Sequence, residues 1–109
     1  MPYDPTLAGR IESILAHEEG TTSKKMFGGI CFMLYGNMLC GVVKDRLVLR
    51  VGPDLYESFL EEEQIRPFDF TGKPLRGFVY VLPKGVQTDQ ALQQWISRVL
   101  AFVKTLDHK

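Results

Sequence analysis

The sequence KKMFGGICFMLYGNMLCGVVKDRLVLRV, residues 24–51, predicts three short β-strands joined by tight turns. Gly36-Asn37 lies between two apolar runs and is a strong signal for a two-residue hairpin loop. Lys44-Asp45 predicts a second tight turn. We interpret the preceding glycine pair, Gly28-Gly29, as a structural turn, and a backbone nest that binds an anion is the alternative.

These turns determine which strand residues share a face, because side chains alternate across a β-strand. They would pair Cys31 with Val42, Val42 with Leu47, and Cys40 with Leu49. One face is then wholly apolar and is expected beneath the helices: Cys31, Met33, Tyr35, Met38, Cys40, Val42, Leu47, Leu49 and Val51. The other face combines hydrophobic residues with two arginines: Ile30, Phe32, Leu34, Leu39, Val43, Val48, Arg46 and Arg50.

The second of these faces is a candidate interface. Large exposed hydrophobic patches tend to mark surfaces that bind other proteins. We therefore predict homodimerisation or partner binding through Ile30, Phe32, Leu34 and Leu39. Coverage of this face by a helix of the same chain is an equally weighted alternative.

The two cysteines, Cys31 and Cys40, are predicted to be diagonal neighbours on one face of the hairpin. Diagonal Cβ atoms lie roughly 7 Å apart, whereas a disulfide requires about 3.5–4.5 Å. We therefore expect two reduced thiols that fill the core. Their spacing does not match a zinc site, and neither a metal nor a cofactor is expected.

Outside the three strands, the pattern predicts helices and a second strand pair. The first helix runs from Asp4-Pro5 to Gly20 and is followed by a polar linker at Thr21-Thr22-Ser23. After the three strands, a second helix begins at Gly52-Pro53-Asp54 and directs Leu55, Phe59 and Leu60 inward. An edge strand over 66–70 and a strand over 77–82 come next, and a last helix, capped by Thr88 or Asp89, contains Trp95. The tail 107–109 is expected to fray. Residues 1–109 thus form one α+β domain, α-β-β-β-α-β-β-α, with helices packed on a largely antiparallel five-stranded sheet.

Charge and composition narrow the classes of function. The 109 residues carry 13 basic and 13 acidic side chains, so there is no overall attraction to nucleic acid. No apolar run is long enough to span a membrane, and the N-terminus does not have the pattern of a secretory signal. We expect a cytoplasmic protein.

The sequence offers little for catalysis. The two histidines, His17 and His108, stand without a nucleophile or ligand spacing around them, so we do not expect an enzyme, and a small enzyme is the least favoured reading. The candidate binding residues are Lys25, Gly28, Gly29, Arg46, Arg50 and Lys73. Nucleic-acid binding by basic loops, with Phe68 and Phe70 stacking on bases, is the alternative to a protein partner.

A set of short motifs spaced along the chain resembles one protein family. The motifs are Lys25-Met26-Phe27-Gly28-Gly29, Gly36-x-Met38, Asp45-x-Leu47 with Leu49-Arg50, Pro67-Phe68-x-Phe70, Lys73, and Tyr80-x-x-Pro83 before a final helix with Trp95. In order and spacing they resemble the N-terminal domain of the TfoX/Sxy family.

The resemblance implies the two-layer fold given above and a bacterial regulatory role. Full-length members that regulate natural competence carry a second, helical domain, and this sequence ends at Lys109, so we expect a stand-alone N-terminal domain. The family provides no catalytic residues to carry over. The predicted function is that of a non-enzymatic intracellular regulatory or adaptor domain that binds an unidentified protein. A homodimer is one expected form of the domain, and the process expected from the resemblance is transcriptional or competence-like regulation.

Overall fold

The computed structural model describes residues 3–109 and shows an α+β domain built on one antiparallel sheet. The sheet has six strands in the order β1-β2-β3-β4-β6-β5, so the prediction of five strands is wrong by one. The elements are α1 (Pro5–Leu15), β1 (Thr21–Met26), β2 (Gly29–Leu34), β3 (Asn37–Val43), β4 (Arg46–Arg50), α2 (Tyr56–Leu60), β5 (Ile65–Pro67), β6 (Phe78–Val81), a 3-10 turn (Pro83–Val86) and α3 (Asp89–Val103).

The additional strand, β1, includes the predicted polar linker Thr21-Thr22-Ser23 and continues through Met26. It pairs with β2 through a two-residue turn at Phe27 (φ 55°) and Gly28 (φ 72°), and both residues adopt the left-handed conformation that such turns require. Four of its six residues are exposed because it is an edge strand that no helix covers. A strand exposed on both faces has no apolar alternation, and the sequence pattern therefore missed it.

The hairpin between β2 and β3 turns one residue earlier than predicted. Its loop is Tyr35-Gly36, with φ values of 50° and 85°, and Leu34 pairs with Asn37. A β-bulge follows between Phe32 and Met33, which shifts the register again and pairs Cys31 with Gly41. The predicted pairs of β3 with β4, Val42 with Leu47 and Cys40 with Leu49, are confirmed, as is the turn between these strands.

This register reverses the predicted faces of β2. Phe32, Leu34 and Leu39 are almost completely buried in the main core beneath the helices, and Ile30 packs against the same core. The assignment of these four residues to the exposed face is therefore wrong. Cys31 lies on the opposite side of the sheet from Cys40, so the two thiols are not neighbours on one face, although both are free and buried as expected.

The helices cover one side of the sheet and are fixed by local contacts. Asp4 caps α1 by accepting hydrogen bonds from the backbone of Thr6 and Leu7, and Thr88 caps α3. The Trp95 indole donates to the Gly85 carbonyl at 2.9 Å. The bounds of two helices differ from prediction: α1 ends at Leu15, before Gly20, and α2 buries Tyr56 and Phe59 while Leu55 is 47% exposed.

Within residues 3–109 no helix is long and apolar enough to cross a membrane.

The C-terminal tail is packed against the β2–β3 turn, contrary to the prediction that it frays. The Lys109 amide donates to the Tyr35 carbonyl at 2.8 Å, and the His108 ring stacks on the Tyr35 ring at 3.8 Å between centroids. The buried Asn37 side chain donates to the Asp107 carbonyl at 2.7 Å. These contacts hold the tail at the opposite end of β2 from the turn at Phe27 and Gly28.

Candidate functional site

The sheet has a second hydrophobic cluster on the side that faces away from the helices. We call this side the open face; it consists of the outward strand positions Thr22, Lys24, Met26, Cys31, Met33, Met38, Val43, Arg46, Val48, Arg50, Arg66, Phe78 and Tyr80 together with Phe27, Phe68 and Phe70 from adjoining loops. The loop after β5 packs Phe68 onto this cluster.

Aromatic side chains organise the open face. The Phe68 ring lies 5.0 Å from the Tyr80 ring and 5.4 Å from the Phe27 ring, in edge-to-face arrangements that favour aromatic pairs. Phe68 is only 2% exposed, whereas Phe70, two residues later, is 47% exposed and lies 5.8 Å from Phe27. Phe68 therefore closes the cluster, and Phe70 extends it into solvent.

Two arginines of β4 lie over aromatic rings of β6. The Arg46 guanidinium is 5.2 Å from the centre of the Tyr80 ring, and that of Arg50 is 5.7 Å from the centre of the Phe78 ring. The antiparallel register explains this arrangement, because Arg50 pairs directly with Phe78 and Val48 with Tyr80. The rings hold the guanidinium groups in place without neutralising their charge.

Within the described chain, Arg46 and Arg50, like Arg66, have no carboxylate within ion-pair distance, whereas Arg10, Arg76 and Arg98 each pair with one. The ion pairs that the structure shows involve other residues: Arg10–Asp89, Arg76–Glu57, Arg98–Glu62 and Lys104–Glu18. The outward positions of the strands carry four cations, Lys24, Arg46, Arg50 and Arg66, and no carboxylate. A chain of zero net charge thus presents a positive surface on one side of its sheet.

A groove of about 440 Å³ opens beside this surface, between Arg46, Phe70 and Tyr80. Burial is the main reason that the pKa of the Tyr80 hydroxyl is raised; the nearby carboxylate of Asp69 adds to the effect and Arg46 opposes it. Tyr80 therefore stays protonated at neutral pH and can donate a hydrogen bond to an acceptor in the groove.

The predicted binding residues do not all converge. Arg46 and Arg50 share the open face, but Lys25 pairs with Ile30 and lies on the helix-facing side of β1. Gly28 serves the β1–β2 turn, and a Cβ atom on Gly29 would overlap the Val42 carbonyl oxygen, so the backbone approach requires glycine there. Lys73 is exposed in the loop after β5.

Sequence reasoning missed the aromatic partners of the two arginines. Phe78 and Tyr80 alternate in a predicted strand, which was a signal that they share a face, but nothing in the sequence showed that β6 pairs with β4. Met33 was placed on the wrong face because of the bulge. The binding surface therefore depends on long-range pairing that local patterns do not specify.

The two thiols of the sheet are poorly suited to nucleophilic attack. Burial raises the pKa of the Cys31 thiol to about 11 and raises that of Cys40 still further, so both are protonated, weak nucleophiles at neutral pH. From Tyr3 onward, the structure contains no group of three or more His, Cys, Asp or Glu side chains arranged to hold a metal ion.

Comparison with known proteins identifies one relationship. The family model described as the TfoX N-terminal domain matches residues 13–103, which is most of the chain. Comparisons with curated proteins and with solved structures give no significant match.

Proposed function

Because the chain belongs to the TfoX N-terminal domain family, we propose that it is a non-enzymatic intracellular regulatory adaptor that binds a protein partner through the open face. The observation that carries the proposal is the pair of arginines, Arg46 and Arg50, which lie over aromatic rings and form no ion pair with any residue that the structure describes, beside the exposed Phe70. The regulated process we propose, transcriptional or competence-like regulation, follows from the family alone.

The composition of the open face supports a protein partner. Aromatic residues, methionine and arginine are enriched in protein–protein interfaces, and tyrosine and arginine are frequent among the residues that contribute most binding energy. Here Phe70 offers an apolar anchor, and Arg46 and Arg50 lie within the same surface. The matching partner surface has an apolar pocket or side chain flanked by carboxylates.

Nucleic-acid binding is the second candidate, and the same cations favour it. Single-strand binding proteins stack bases on exposed aromatic rings. On the open face, however, Phe68 and Tyr80 are only 2% and 6% exposed, and Arg46 covers the Tyr80 ring. Phe70, at 47% exposure, is open to one base, but a base on Tyr80 would have to displace Arg46, so successive stacking is disfavoured and we favour the protein partner.

A second copy of the chain is a weaker candidate for this partner. Two open faces packed against each other would bring the four strand cations of each copy together, and Asp45 and Asp69, which line the groove beside Arg46, would offset them only in part. We therefore propose that a homodimer, if it forms, uses a different surface. Sedimentation velocity at high micromolar concentration, with and without 0.5 M salt, tests this proposal, because an association that salt strengthens would indicate packing of the two open faces.

Affinity capture from native lysate tests the proposed function when it is combined with a matched pair of variants. The test variant is Arg46→Gln with Arg50→Gln, and the control is Arg76→Gln with Arg98→Gln. The control arginines also lie over aromatic rings, at 5.5 Å from Tyr56 and 4.2 Å from Phe59, but they belong to ion pairs away from the open face.

We expect a protein that survives nuclease treatment to be retained by the wild type and by the control variant, and lost from the test variant. Retention by both variants would contradict a role for the open face. If nucleic acid is recovered without nuclease and all captured material is lost after nuclease treatment, the result would favour nucleic-acid binding over a protein partner.

A further inference from the structure

The two edges of the sheet differ sharply in their capacity to pair with another strand. The edge strand β5 has three residues and ends at Pro67, which cannot donate a ladder hydrogen bond. The opposite edge strand, β1, has six residues, no proline and an unbroken register with β2 from Thr21 to Met26. A strand of this length with a free edge is the usual template for strand addition.

The alternation of hydrogen bonds between β1 and β2 shows which backbone groups of β1 do not bond to β2. The Tyr35 amide donates to the Gly20 carbonyl at 2.8 Å, immediately before β1 begins. Because bonding alternates along an antiparallel pair, Thr22 and Lys24 direct their backbone groups to β2, whereas Thr21, Ser23 and Lys25 direct theirs to the open edge. No strand lies beyond β1 in the described sheet. The edge therefore offers three amides and three carbonyls to an incoming strand.

A groove runs beside this edge on the helix side of the sheet. Since α1 ends at Leu15, β1 extends past the helix layer and leaves a depression of about 290 Å³. Its lining includes Leu15, Ala16 and Phe32, which are apolar, and Glu12, which is acidic. Alternate side chains of a strand added to β1 would enter this groove, where small apolar groups fit and acidic groups face Glu12.

The charge of β1 selects the kind of strand that it accepts. Lys24 and Lys25 are exposed, and neither belongs to an ion pair in the part of the chain that the structure describes. Lysines on an edge strand disfavour pairing with an identical strand. They favour a strand that places acidic side chains opposite them. Lys24 lies on the same side as Cys31, whereas Lys25 lies on the helix side, where Glu12 lines the groove; the acidic positions therefore belong opposite Lys24.

From these observations we propose that β1 binds an extended acidic peptide segment of a protein partner by strand addition. The backbone of the segment pairs with Thr21, Ser23 and Lys25; its small apolar side chains enter the groove beside Leu15, and its carboxylates lie opposite Lys24. This is a second interaction surface at the edge of the sheet, and it does not depend on the arginines of the open face.

A capped ten-residue peptide of alternating glutamate and valine is the direct probe, with an alternating lysine and valine peptide as its control. Binding is followed on the ¹⁵N-labelled full chain by amide exchange. We expect the glutamate peptide to slow exchange at Thr21, Ser23 and Lys25 by about tenfold or more, because these amides gain partners only on strand addition. Thr22 and Lys24, already bonded to β2, should change little.

Charge reversal tests the selection of an acidic strand. Lys24→Glu is expected to weaken binding of the glutamate peptide about tenfold, whereas Lys84→Glu, a matched change at an exposed position in the 3-10 turn, should leave it unchanged. Equal binding of both peptides, or unchanged exchange at the three edge amides with millimolar peptide, would overturn the proposal. Changes in amide exchange confined to Arg46 and Arg50 would also overturn the proposal, and they would support the proposed function of the open face.

Discussion

Replacement of Leu39 by alanine tests the side of the sheet on which this residue lies. The structure places Leu39 at a β-bulge, with its side chain completely buried in the main core. Buried leucine-to-alanine changes cost about 2–5 kcal/mol, because contacts are lost and a cavity remains. We expect Leu39→Ala to lower the free energy of unfolding by about 3 kcal/mol, which corresponds to a fall in Tm of roughly 12 °C for a domain of this size.

Leu55→Ala is the matched control, since it makes the same chemical change at a side chain that is 47% exposed. It should cost less than about 1 kcal/mol. Urea unfolding followed by the fluorescence of Trp95, the single tryptophan, measures both variants. A loss below about 1 kcal/mol for Leu39→Ala would refute the observed register, because it would place Leu39 on an exposed face.

Three further predictions concern backbone, thiol and carboxylate groups. Gly29→Ala should destabilise the fold strongly because its Cβ would meet a backbone carbonyl of β3, whereas Gly9→Ala, in an open position of α1, should stabilise it by about 0.5–1 kcal/mol; thermal melts compare the two. Burial raises the pKa of Cys31 from 9.0 to about 11, so as pH rises the thiol loses its proton in the unfolded chain before it does in the folded chain. The free energy of unfolding should therefore fall as pH rises from about 9 to about 11. At pH 7.5, a thiol reagent should react with Cys31 only after unfolding. The hydrogen bond from Arg98 lowers the pKa of Glu62, so Glu62→Gln should cost below about 1 kcal/mol at pH 7, and its difference from wild type in urea unfolding should vanish as pH falls through the lowered pKa.

The fold class and much of the element order could be predicted because the strands and helices carry distinct apolar periods. The turn at Lys44-Asp45 and the pairs across it were correct, since the alternation along β3 after Cys40 and along β4 is uninterrupted. β1 was missed because both of its faces are exposed, which leaves no apolar alternation to detect.

The face assignment failed at the bulge for a physical reason. A bulge inserts one residue and reverses the alternation on one side of it. Residues on both sides of β2 are apolar, Phe32 and Leu34 toward the helices and Cys31 and Met33 away from them, so composition could not reveal the reversal. The arginines were identified as binding candidates, but their aromatic supports come from β6, and only the pairing of distant strands brings them together.

Site-specific photo-crosslinking is the most direct test of the open face as the partner-binding surface. A photoreactive phenylalanine analogue is introduced at Phe70 or, as the control, at Leu55; each native side chain is 47% exposed, but Leu55 precedes α2 in the helix layer. After irradiation in nuclease-treated native lysate, our account predicts a discrete protein adduct from position 70 and none from position 55. An adduct from position 55 alone, or no adduct from position 70, would contradict it.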